Sequence, residues 1–431
     1  MERFCASLLV AFAACQVRVL PEDENAAGPD SGSPGKCTDE DEDGWCGGSD
    51  EDCDDRDAAI HPGAAEQGPW SAEIVDLVAD DGEYLSLAID AAGYSHLHYL
   101  YSDNSGDELV HEFHYATNRS GAWMVERLES AAGSHQPTDI AVDAAGTAHV
   151  AYLHWDYPKS GELTLRYANN ATGAWDWEML LWQAGWSDSV SIAVDESRHV
   201  HIAYPDNRGQ LLHFTNTSGG WEVETAIESF AGGAAIALDA VGNPHISYLR
   251  PEAEGWEAGY SIRHLVRAGG EWTDEFIADG ERGSDTFWNQ ICCTALAFDA
   301  SGNAHLTFPG DKLGYATNAS GSWVASLPID PPGEDAFVTS LAVGPAGVIQ
   351  ASYLGVGTAG QYLATDVWHA ANDGGDWSTE LVDGFDRVDS FSSMALAPDG
   401  SPRIAYVDGS DRLALARRAS DGVDQNCDGV D

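Results

Sequence analysis

Two acidic segments, one near each end of the chain, carry oxygen-bearing side chains at the spacing of a calcium-binding loop. In both segments acid or amide residues occupy alternate positions before a glycine: Asp39, Asp41, Asp43 and Gly44 in the first, and Asp424, Asn426, Asp428 and Gly429 in the second. Alternate side chains can point to one centre, and the glycine permits the sharp turn around it. In the first segment, Asp50 stands where such a loop places its final ligand.

The same segments hold further carboxylates, which complete the candidate metal site. The additional candidate ligands are Asp52, Asp54, Asp55, Asp57 and Asp431. Because all of these side chains offer oxygen, they favour a hard cation, Ca²⁺ rather than Zn²⁺ or Cu²⁺. The other interpretation is a solvated acidic surface that binds no metal.

The charge of the chain is strongly negative and unevenly spread. Its formal net charge is −51 over 431 residues, and residues 22–57 hold 15 acids against two basic residues. We therefore expect no nucleic-acid partner and no attraction to anionic lipid headgroups. Such acidity is typical either of a protein kept soluble by its surface charge or of one whose acids bind cations.

Residues 1–15 predict an export signal. Arg3 precedes a short apolar run ending at Ala14, which is too short to span a membrane. The last four residues, Phe12 to Cys15, resemble a bacterial lipoprotein signal in which Cys15 is lipidated after cleavage; plain cleavage by signal peptidase is the alternative. Either way we expect an exported protein, extracellular or on the outer cell surface, that meets a membrane only through a lipid anchor. Residues 16–36, rich in Pro, Gly and acids, predict a flexible linker.

Cysteines of an exported chain are disulfide candidates, because they meet an oxidising environment. Those remaining after residue 15 are Cys37, Cys46, Cys53, Cys292, Cys293 and Cys427. The adjacent Cys292 and Cys293 form either a vicinal disulfide or two buried thiols.

A sequence repeat organises the middle of the chain. Its first copy runs from Leu87 to Tyr99 as Leu-Ala-Ile-Asp-Ala-Ala-Gly-Tyr-Ser-His-Leu-His-Tyr, and seven copies follow one another with starts 44 to 60 residues apart. Each full repeat reads as four short strands, which we name a to d, separated by turn residues. A repeat of this length and β character predicts an all-β fold, a seven-bladed β-propeller over residues 70–420.

The tryptophan that opens strand d predicts how the ring closes. Six repeats supply this residue themselves, and the seventh ends after its strand c. One strand of the missing kind, Trp70–Leu77, precedes the first repeat. We therefore expect the last blade to combine three C-terminal strands with one N-terminal strand, which removes the open edge between the first and last blades. The acidic segments 37–69 and 421–431 then meet at this junction.

Joined across the propeller, the two acidic segments resemble the MopE-type metal-binding motif of secreted bacterial proteins. The resemblance is carried by Asp52, Cys53, Asp54, Asp55, Asp57, Pro62, Gly63, Glu66, Asp421, Asp424, Asn426, Cys427, Asp428 and Gly429. The family motif is contiguous, whereas here the propeller is inserted within it, and Ser420 stands where a cysteine is expected. The resemblance implies a metal site at the junction, and we hypothesise that Ca²⁺ and a Cys53–Cys427 bridge hold the ring closed.

The repeat itself is similar to NHL and sialidase-type (BNR) propeller repeats. This resemblance covers residues 70–418 and implies the fold without implying sialidase activity. An aspartate and a histidine six residues apart recur in five copies, for example Asp90 and His96. Because catalytic groups are normally unique, we interpret this pair as a contact that locks the a–b hairpin, and the strand-d tryptophans as packing between blades.

Tryptophans outside the repeat pattern mark a candidate ligand face. We expect all of them in the b–c and d–a connections, which share one face of a propeller: Trp155, Trp182, Trp186, Trp256 and Trp288. They are suited to stacking on sugar rings or to anchoring a peptide. Local packing of the loops is the alternative.

The sequence thus predicts a monomeric, calcium-stabilised binding module for carbohydrate or protein at the bacterial cell surface. One rival is a glycoside hydrolase or lyase on the same face, which needs paired carboxylates about 5–10 Å apart. The candidates for that pair are Asp156, Asp188, Glu252, Glu254 and Asp285. The other rival is a purely structural surface protein.

Overall fold

The structure, a computed structural model, describes fourteen stretches of the chain. They are residues 69–77, 84–103, 110–131, 136–155, 161–187, 189–206, 208–253, 255–280, 293–310, 312–329, 335–359, 362–374, 376–385 and 391–418. These residues form 28 β-strands. None of them lies in a helix long and apolar enough to cross a membrane.

The strands form seven antiparallel four-stranded sheets, which are the blades. The first strand, β1 (Trp70–Leu77), precedes all the others. Blade one consists of β2 (Leu85–Ile89), β3 (Ser95–Asp103), β4 (Val110–Thr117) and β5 (Met124–Ala131), and blade two of β6 (Thr138–Val142), β7 (Ala148–Trp155), β8 (Leu163–Asn169) and β9 (Asp176–Trp182). Blade three consists of β10 (Ser191–Val194), β11 (Val200–Asp206), β12 (Gln210–Thr215) and β13 (Glu222–Ile227), and blade four of β14 (Gly232–Leu238), β15 (Pro244–Ala253), β16 (Gly255–Ala268) and β17 (Glu271–Gly280). Blade five consists of β18 (Ala295–Phe298), β19 (Ala304–Phe308), β20 (Leu313–Thr317) and β21 (Val324–Ile329), and blade six of β22 (Asp335–Val343), β23 (Ile349–Ala359), β24 (Tyr362–Asn372) and β25 (Ser378–Phe385).

Blade seven closes the ring with strands from both ends of the chain. It contains β26 (Ser392–Leu396), β27 (Pro402–Val407) and β28 (Arg412–Arg418), and β1 pairs antiparallel with β28. Trp70 lies opposite Arg418, and Leu77 lies opposite Arg412. The predicted seven-bladed propeller with three-plus-one closure is confirmed.

The a strands contact one another around a central channel, in blade order, and β26 contacts β2 to complete the circle. Burial changes along each blade: every residue of β11 is buried, whereas most of β9 is exposed. The b strands therefore lie between neighbouring sheets, and the d strands form the perimeter. The apolar residues divide into seven clusters, each of which joins two adjacent blades.

An aromatic contact connects six of the seven blades to the one before it. The tryptophan that opens strand d lies edge-on to an aromatic ring in strand c of the preceding blade. The ring centroids are 4.9 Å apart in Trp175–Tyr115 and Trp221–Tyr167, 5.3 Å in Trp272–His213, 5.1 Å in Trp323–His264 and Trp377–Tyr315, and 5.2 Å in Trp70–His369. At the seventh junction Leu415 takes the place of the aromatic ring, and Trp123 packs against the cluster that contains it. The predicted packing of these tryptophans between blades is confirmed.

The predicted Asp–His lock within each a–b hairpin is only partly correct. In blade one, Asp90 Oδ1 accepts hydrogen bonds from the N–H groups of Ala92 (3.0 Å) and Tyr94 (2.9 Å), whereas His96 Nε2 lies 3.3 Å from Oδ2. The corresponding N–O separations are 3.5, 3.6 and 3.4 Å in blades two, four and five. The carboxylate therefore stabilises mainly the turn, because its shortest hydrogen bonds come from backbone N–H groups and not from the histidine.

The histidine has its shortest contact in strand c instead of in the turn. His96 Nδ1 lies 2.6 Å from the hydroxyl of Tyr115. In blade three the pair is broken, because His199 Nδ1 takes Asp195 Oδ2 at 2.8 Å. Burial alone would raise the pKa of Asp90, but hydrogen bonds from Tyr94, His96 and Ala92 outweigh it and lower the pKa.

We expect Trp175→Ala to destabilise the protein by about 2–4 kcal/mol, because it removes both apolar burial and the edge-on contact with Tyr115. The matched control is Trp177→Ala on the same strand, where the side chain is 49% exposed. We expect the control to cost less than about 1 kcal/mol. Urea unfolding of both variants measures the difference, and equal losses would contradict the role of this contact between blades.

Candidate functional site

The b–c and d–a connections meet at one face of the ring, which we call the loop face; the a–b and c–d turns lie at the opposite turn face. The strand register shows this in blade two. Trp155, at the end of strand b, lies opposite Leu163, and Thr164 lies opposite Trp182 at the end of strand d. Both tryptophans therefore stand at the loop face.

Trp155 and Trp186 form the aromatic pair of this face. Their ring centroids are 5.7 Å apart with an interplanar angle of 69°. The Trp155 indole N–H donates to the carbonyl of Gly161 (3.2 Å), and its backbone N–H donates to Gln136 Oε1 (2.8 Å). Two hydrogen bonds thus fix Trp155, whereas Trp186 is 49% exposed.

The connection that carries Trp186 is fastened by blade three. The hydroxyl of Tyr204 donates to the carbonyl of Gly185, and Arg208 Nη2 donates to the carbonyl of Gln183 at 2.6 Å. The N–H of Ala184 donates to the carbonyl of Leu163 at 2.8 Å. Because its neighbours in sequence are held by these bonds, Trp186 is a preorganised aromatic surface.

A further aromatic residue, Phe230, extends this surface towards blade four and was not identified from the sequence. Its side chain is 56% exposed. Its ring lies over Gly209, 3.6 Å from where a Cβ would stand. Gly209 follows Arg208, so the surface continues from Trp186 through Arg208 to Phe230. The sequence carries a signal for it, since Phe230 is an aromatic residue in a d–a connection, between β13 and β14.

The five predicted ligand-face tryptophans have different positions. Trp155 and Trp256 lie within strands β7 and β16 instead of loops, and Trp182 is the last residue of β9. Trp182 is 50% exposed at the loop face. Trp288 lies outside the described residues. The structure therefore brings together Trp155 and Trp186, and Trp182 ends the strand β9 that leads into the connection carrying Trp186.

The central channel opens at the loop face with a cavity of about 280 Å³. One position of strand a recurs around it: Ser86, Asp139, Ser191, Ala235, Ala295, Ser340 and Ser393. Side-chain oxygens at this position accept N–H groups from the next blade: Leu87 N donates to Ser393 Oγ at 3.0 Å, and Ile236 N donates to Ser191 Oγ at 3.2 Å. These bonds join the inner strands across the blade junctions.

Asp139 is the carboxylate of this ring and joins three blades. It accepts hydrogen bonds from the hydroxyls of Ser86 (2.6 Å) and Ser191 (3.1 Å) and from the N–H groups of Ile140 and Ile192 (both 2.9 Å). Burial raises its pKa in spite of these four bonds. Sequence reasoning missed Asp139 because the position precedes the conspicuous part of the repeat; aligning the seven copies would have shown one acid among serines and alanines.

Two aromatic rings and a disulfide also border the channel mouth. Tyr84 and Phe391 lie 4.7 Å apart between their ring centroids. Cys293 lines the cavity and is disulfide-bonded. It is the only cysteine among the described residues, so its partner lies outside them. The alternative of a buried thiol at Cys293 is wrong.

The described residues nearest in sequence to the candidate metal ligands are those at the two ends of the propeller. Trp70 pairs with Arg418, so the chain beyond each of them starts from neighbouring points. Cys15, Cys53 and Cys427 lie outside the described residues. So do all of the predicted metal ligands, which are Asp39, Asp41, Asp43, Asp50, Asp52, Asp54, Asp55, Asp57, Asp424, Asn426, Asp428 and Asp431. Within the described part, no group of three or more His, Cys, Asp or Glu side chains is suited to hold a metal ion.

The family model that matches this chain is Cu-binding MopE, described as "Putative metal-binding motif". It matches residues 52–67 and 418–431. The resemblance inferred from the sequence is therefore confirmed, with the motif divided between the two ends. The metal is not specified by this match, and the oxygen donors of this chain fit a hard cation. None of the curated proteins matches the sequence.

Several solved structures have a similar fold at low sequence identity. AofleA from Arthrobotrys oligospora is 11% identical with a TM-score of 0.47, over 75% of this chain and 93% of that one. The Aleuria aurantia lectin, in complex with Fucα1-6GlcNAc, is 13% identical with a TM-score of 0.45, over 72% and 97%. The polysaccharide lyase Uly1 is 10% identical with a TM-score of 0.48, over 80% and 91%. Likenesses of this strength concern the fold and assign no activity.

The pKa of Asp139 leads to a prediction for Asp139→Ser, which gives blade two the residue that four other blades carry there. The pKa of Asp139 in the folded state lies above its unfolded value of about 4. The free energy of unfolding of the wild type therefore increases as the pH falls from the folded-state pKa to the unfolded-state pKa. We expect the variant to lie within about 1 kcal/mol of wild type at pH 7 and to lose relative stability at pH 4. Urea unfolding of both proteins at the two pH values provides the comparison. A variant that gains relative stability on acidification would show that the folded state lowers this pKa.

Proposed function

We propose that this propeller is a carbohydrate-binding module and that its ligand rests on the loop face, against Trp186. The observation that carries the proposal is the Trp155–Trp186 pair, in which one indole is held by the blade and the other is half exposed. An exposed indole face on a fixed backbone offers a large apolar surface at little entropic cost. A sugar ring has one apolar face and hydroxyls at its edge, which suits such a surface.

Polar groups next to the indole support the choice of a sugar. Arg208 donates to the connection that carries Trp186, with its Nη2 atom 2.6 Å from the Gln183 carbonyl, and it precedes Gly209, over which the Phe230 ring lies. The remaining guanidinium N–H groups provide donors at the edge of the aromatic surface. A small number of placed polar groups around an apolar surface is typical of small-molecule sites. A protein ligand is the second possibility for this surface, and a glycan screen separates the two.

The hydrolase or lyase alternative depends on residues that the structure does not describe. Asp156, Asp188, Glu254 and Asp285 lie outside the described residues, and Glu252 lies within strand β15. Among the described residues that line the channel mouth, Asp139 is the only carboxylate, and both of its oxygens accept hydrogen bonds within the ring. No observation in the described part favours catalysis over binding.

We also propose that Ca²⁺ binds where the two halves of the metal-binding motif meet and holds blade seven closed. The pairing of Trp70 with Arg418 supports this, because these two neighbouring residues adjoin the two matched segments in the sequence. The Asp and Asn side chains of these segments would hold the ion. Export through residues 1–15, with or without lipidation of Cys15, places such a module in a calcium-rich environment at the cell surface.

The test is a glycan array probed with residues 16–431 in calcium buffer. We expect selective binding that Trp186→Ala reduces by at least tenfold and that Trp155→Ala also weakens, because Trp155 supports Trp186. Trp177→Ala is the matched control, since Trp177 and Trp186 are both 49% exposed and Trp177 lies on the outer strand β9.

Each outcome of the array has a distinct meaning. Selective binding that survives Trp177→Ala but not Trp186→Ala supports a sugar site on the loop face. Binding that survives all three substitutions contradicts the position of the site. A blank array contradicts the carbohydrate ligand and leaves the aromatic surface to a protein partner.

A further inference from the structure

The wall of the central channel carries one inward-facing backbone N–H group in each blade. In blade two the a–b hairpin is closed by Asp143 N, which donates to the carbonyl of Thr147 at 3.0 Å. Ile140 and Val150, which lie opposite each other in this hairpin, therefore form a pair without mutual hydrogen bonds, and the Ile140 N–H points away from strand b. The same register recurs in every blade. The inward N–H groups belong to Leu87, Ile140, Ile192, Ile236, Leu296, Leu341 and Met394.

A carboxylate of the chain itself accepts hydrogen bonds from two of these groups. Ile140 N donates to Asp139 Oδ1 and Ile192 N donates to Asp139 Oδ2, both at 2.9 Å. The hydroxyls of Ser86 and Ser191, one blade to either side, also donate to this carboxylate. A planar carboxylate therefore fits across the junction of two neighbouring blades at this level of the channel.

Blades four, five and six repeat this arrangement without its acid. Ala235, Ala295 and Ser340 stand where blades one, two and three carry serine, aspartate and serine. The N–H groups of Leu296 and Leu341 correspond to the two that donate to the aspartate of blade two. Neither of them, nor the Ser340 hydroxyl, has a hydrogen-bond partner among the described residues. All five residues line the cavity of about 280 Å³, so these three donors need an acceptor from outside the described chain.

We propose that this side of the channel binds a carboxylate ligand, whose two oxygens accept hydrogen bonds from Leu296 N, Leu341 N and the Ser340 hydroxyl. The ligand is a short free acid or a uronic acid unit of a carbohydrate, since both present the same group. Because Ala235 and Ala295 lack the hydroxyl and the carboxylate of their counterparts, the cavity has room for the carboxylate of the ligand beside these donors.

The groups around the cavity favour a carboxylate over other ions. Backbone N–H groups that converge without an acceptor attract an anion and not a cation. No cationic side chain belongs to the described lining, so the larger charge of phosphate or sulfate would stay uncompensated there. A carboxylate has one charge and the planar pair of oxygens that Asp139 shows to fit. The site shares no residue with the surface formed by Trp186, Arg208 and Phe230, so it does not rest on the function proposed above.

The experiment follows the amide resonances of the mature chain, made with ¹⁵N-labelled leucine, by NMR during titration with sodium acetate and, separately, with sodium glucuronate. We expect saturable shifts of the Leu296 and Leu341 resonances, because their N–H groups gain an acceptor. Leu87 is the internal reference, since its N–H already donates to Ser393 Oγ at 3.0 Å. Glucose, which has no carboxylate, should leave all three resonances in place.

Substitutions at one position test the site in two ways. Ala295→Asp supplies the carboxylate from the chain, as in blade two, and we expect it to abolish the shifts of Leu296 and Leu341. Ala295→Ser introduces the residue that four other blades carry, whose hydroxyl accepts Leu341 N, and we expect acetate binding to weaken about fivefold. The matched control is Ala300→Asp, the same change in the exposed a–b turn of the same blade, which should bind within twofold of wild type.

Each outcome decides for or against the site. Shifts that are lost in Ala295→Asp, or weakened in Ala295→Ser where the first variant does not fold, and kept in Ala300→Asp and Trp186→Ala support the proposal. Within that result, shifts with acetate indicate a short acid, and shifts with glucuronate alone indicate a uronic acid unit. Shifts lost equally in Ala300→Asp would reflect added charge and overturn the proposal. Equal shifts with glucose, or no saturable shift with either acid, overturn it too.

Discussion

The edge-on contact between a strand-d tryptophan and a strand-c ring of the preceding blade is the interaction on which the ring depends. It recurs at six junctions with centroid distances of 4.9 to 5.3 Å. A four-stranded sheet cannot bury both of its faces alone, so each blade is stable only against its neighbours. Trp70 makes this contact for blade seven from the far end of the chain, and Arg418 covers its other face at 4.7 Å. The strand that packs blade seven against blade six is therefore the same strand that closes the ring.

The fold could be predicted because the repeat encodes it seven times. Alternating apolar residues and turn residues define each strand, and the missing seventh tryptophan identifies Trp70–Leu77 as its replacement. Side-chain partners were predicted less well. The repeated Asp and His were matched with each other, whereas Asp90 holds backbone N–H groups and His96 bonds Tyr115. Whether His96 makes its shorter contact with Tyr115, at 2.6 Å, or with Asp90, at 3.3 Å, is decided by the packed geometry, which residue spacing does not contain.

The candidate sites lie where the repeat is interrupted, and sequence reasoning found them unevenly. Trp155 and Trp186 stood out because they are tryptophans that do not belong to the repeat. Phe230 was passed over as an ordinary aromatic, and Asp139 was hidden in a position that other blades fill with serine or alanine.

The strand β1 closes the ring by pairing with β28. We propose that metal bound by the adjoining acidic segments holds it there. Hydrogen–deuterium exchange of the mature chain, in calcium and after chelation, tests it most directly. We expect peptides covering β1 and β28 to be equally protected in calcium, and both to lose protection on chelation while β11 keeps it. Exchange of β1 at the rate of an unpaired chain in calcium would contradict the closure. Protection of β1 that is unchanged by chelation would contradict the role of the metal.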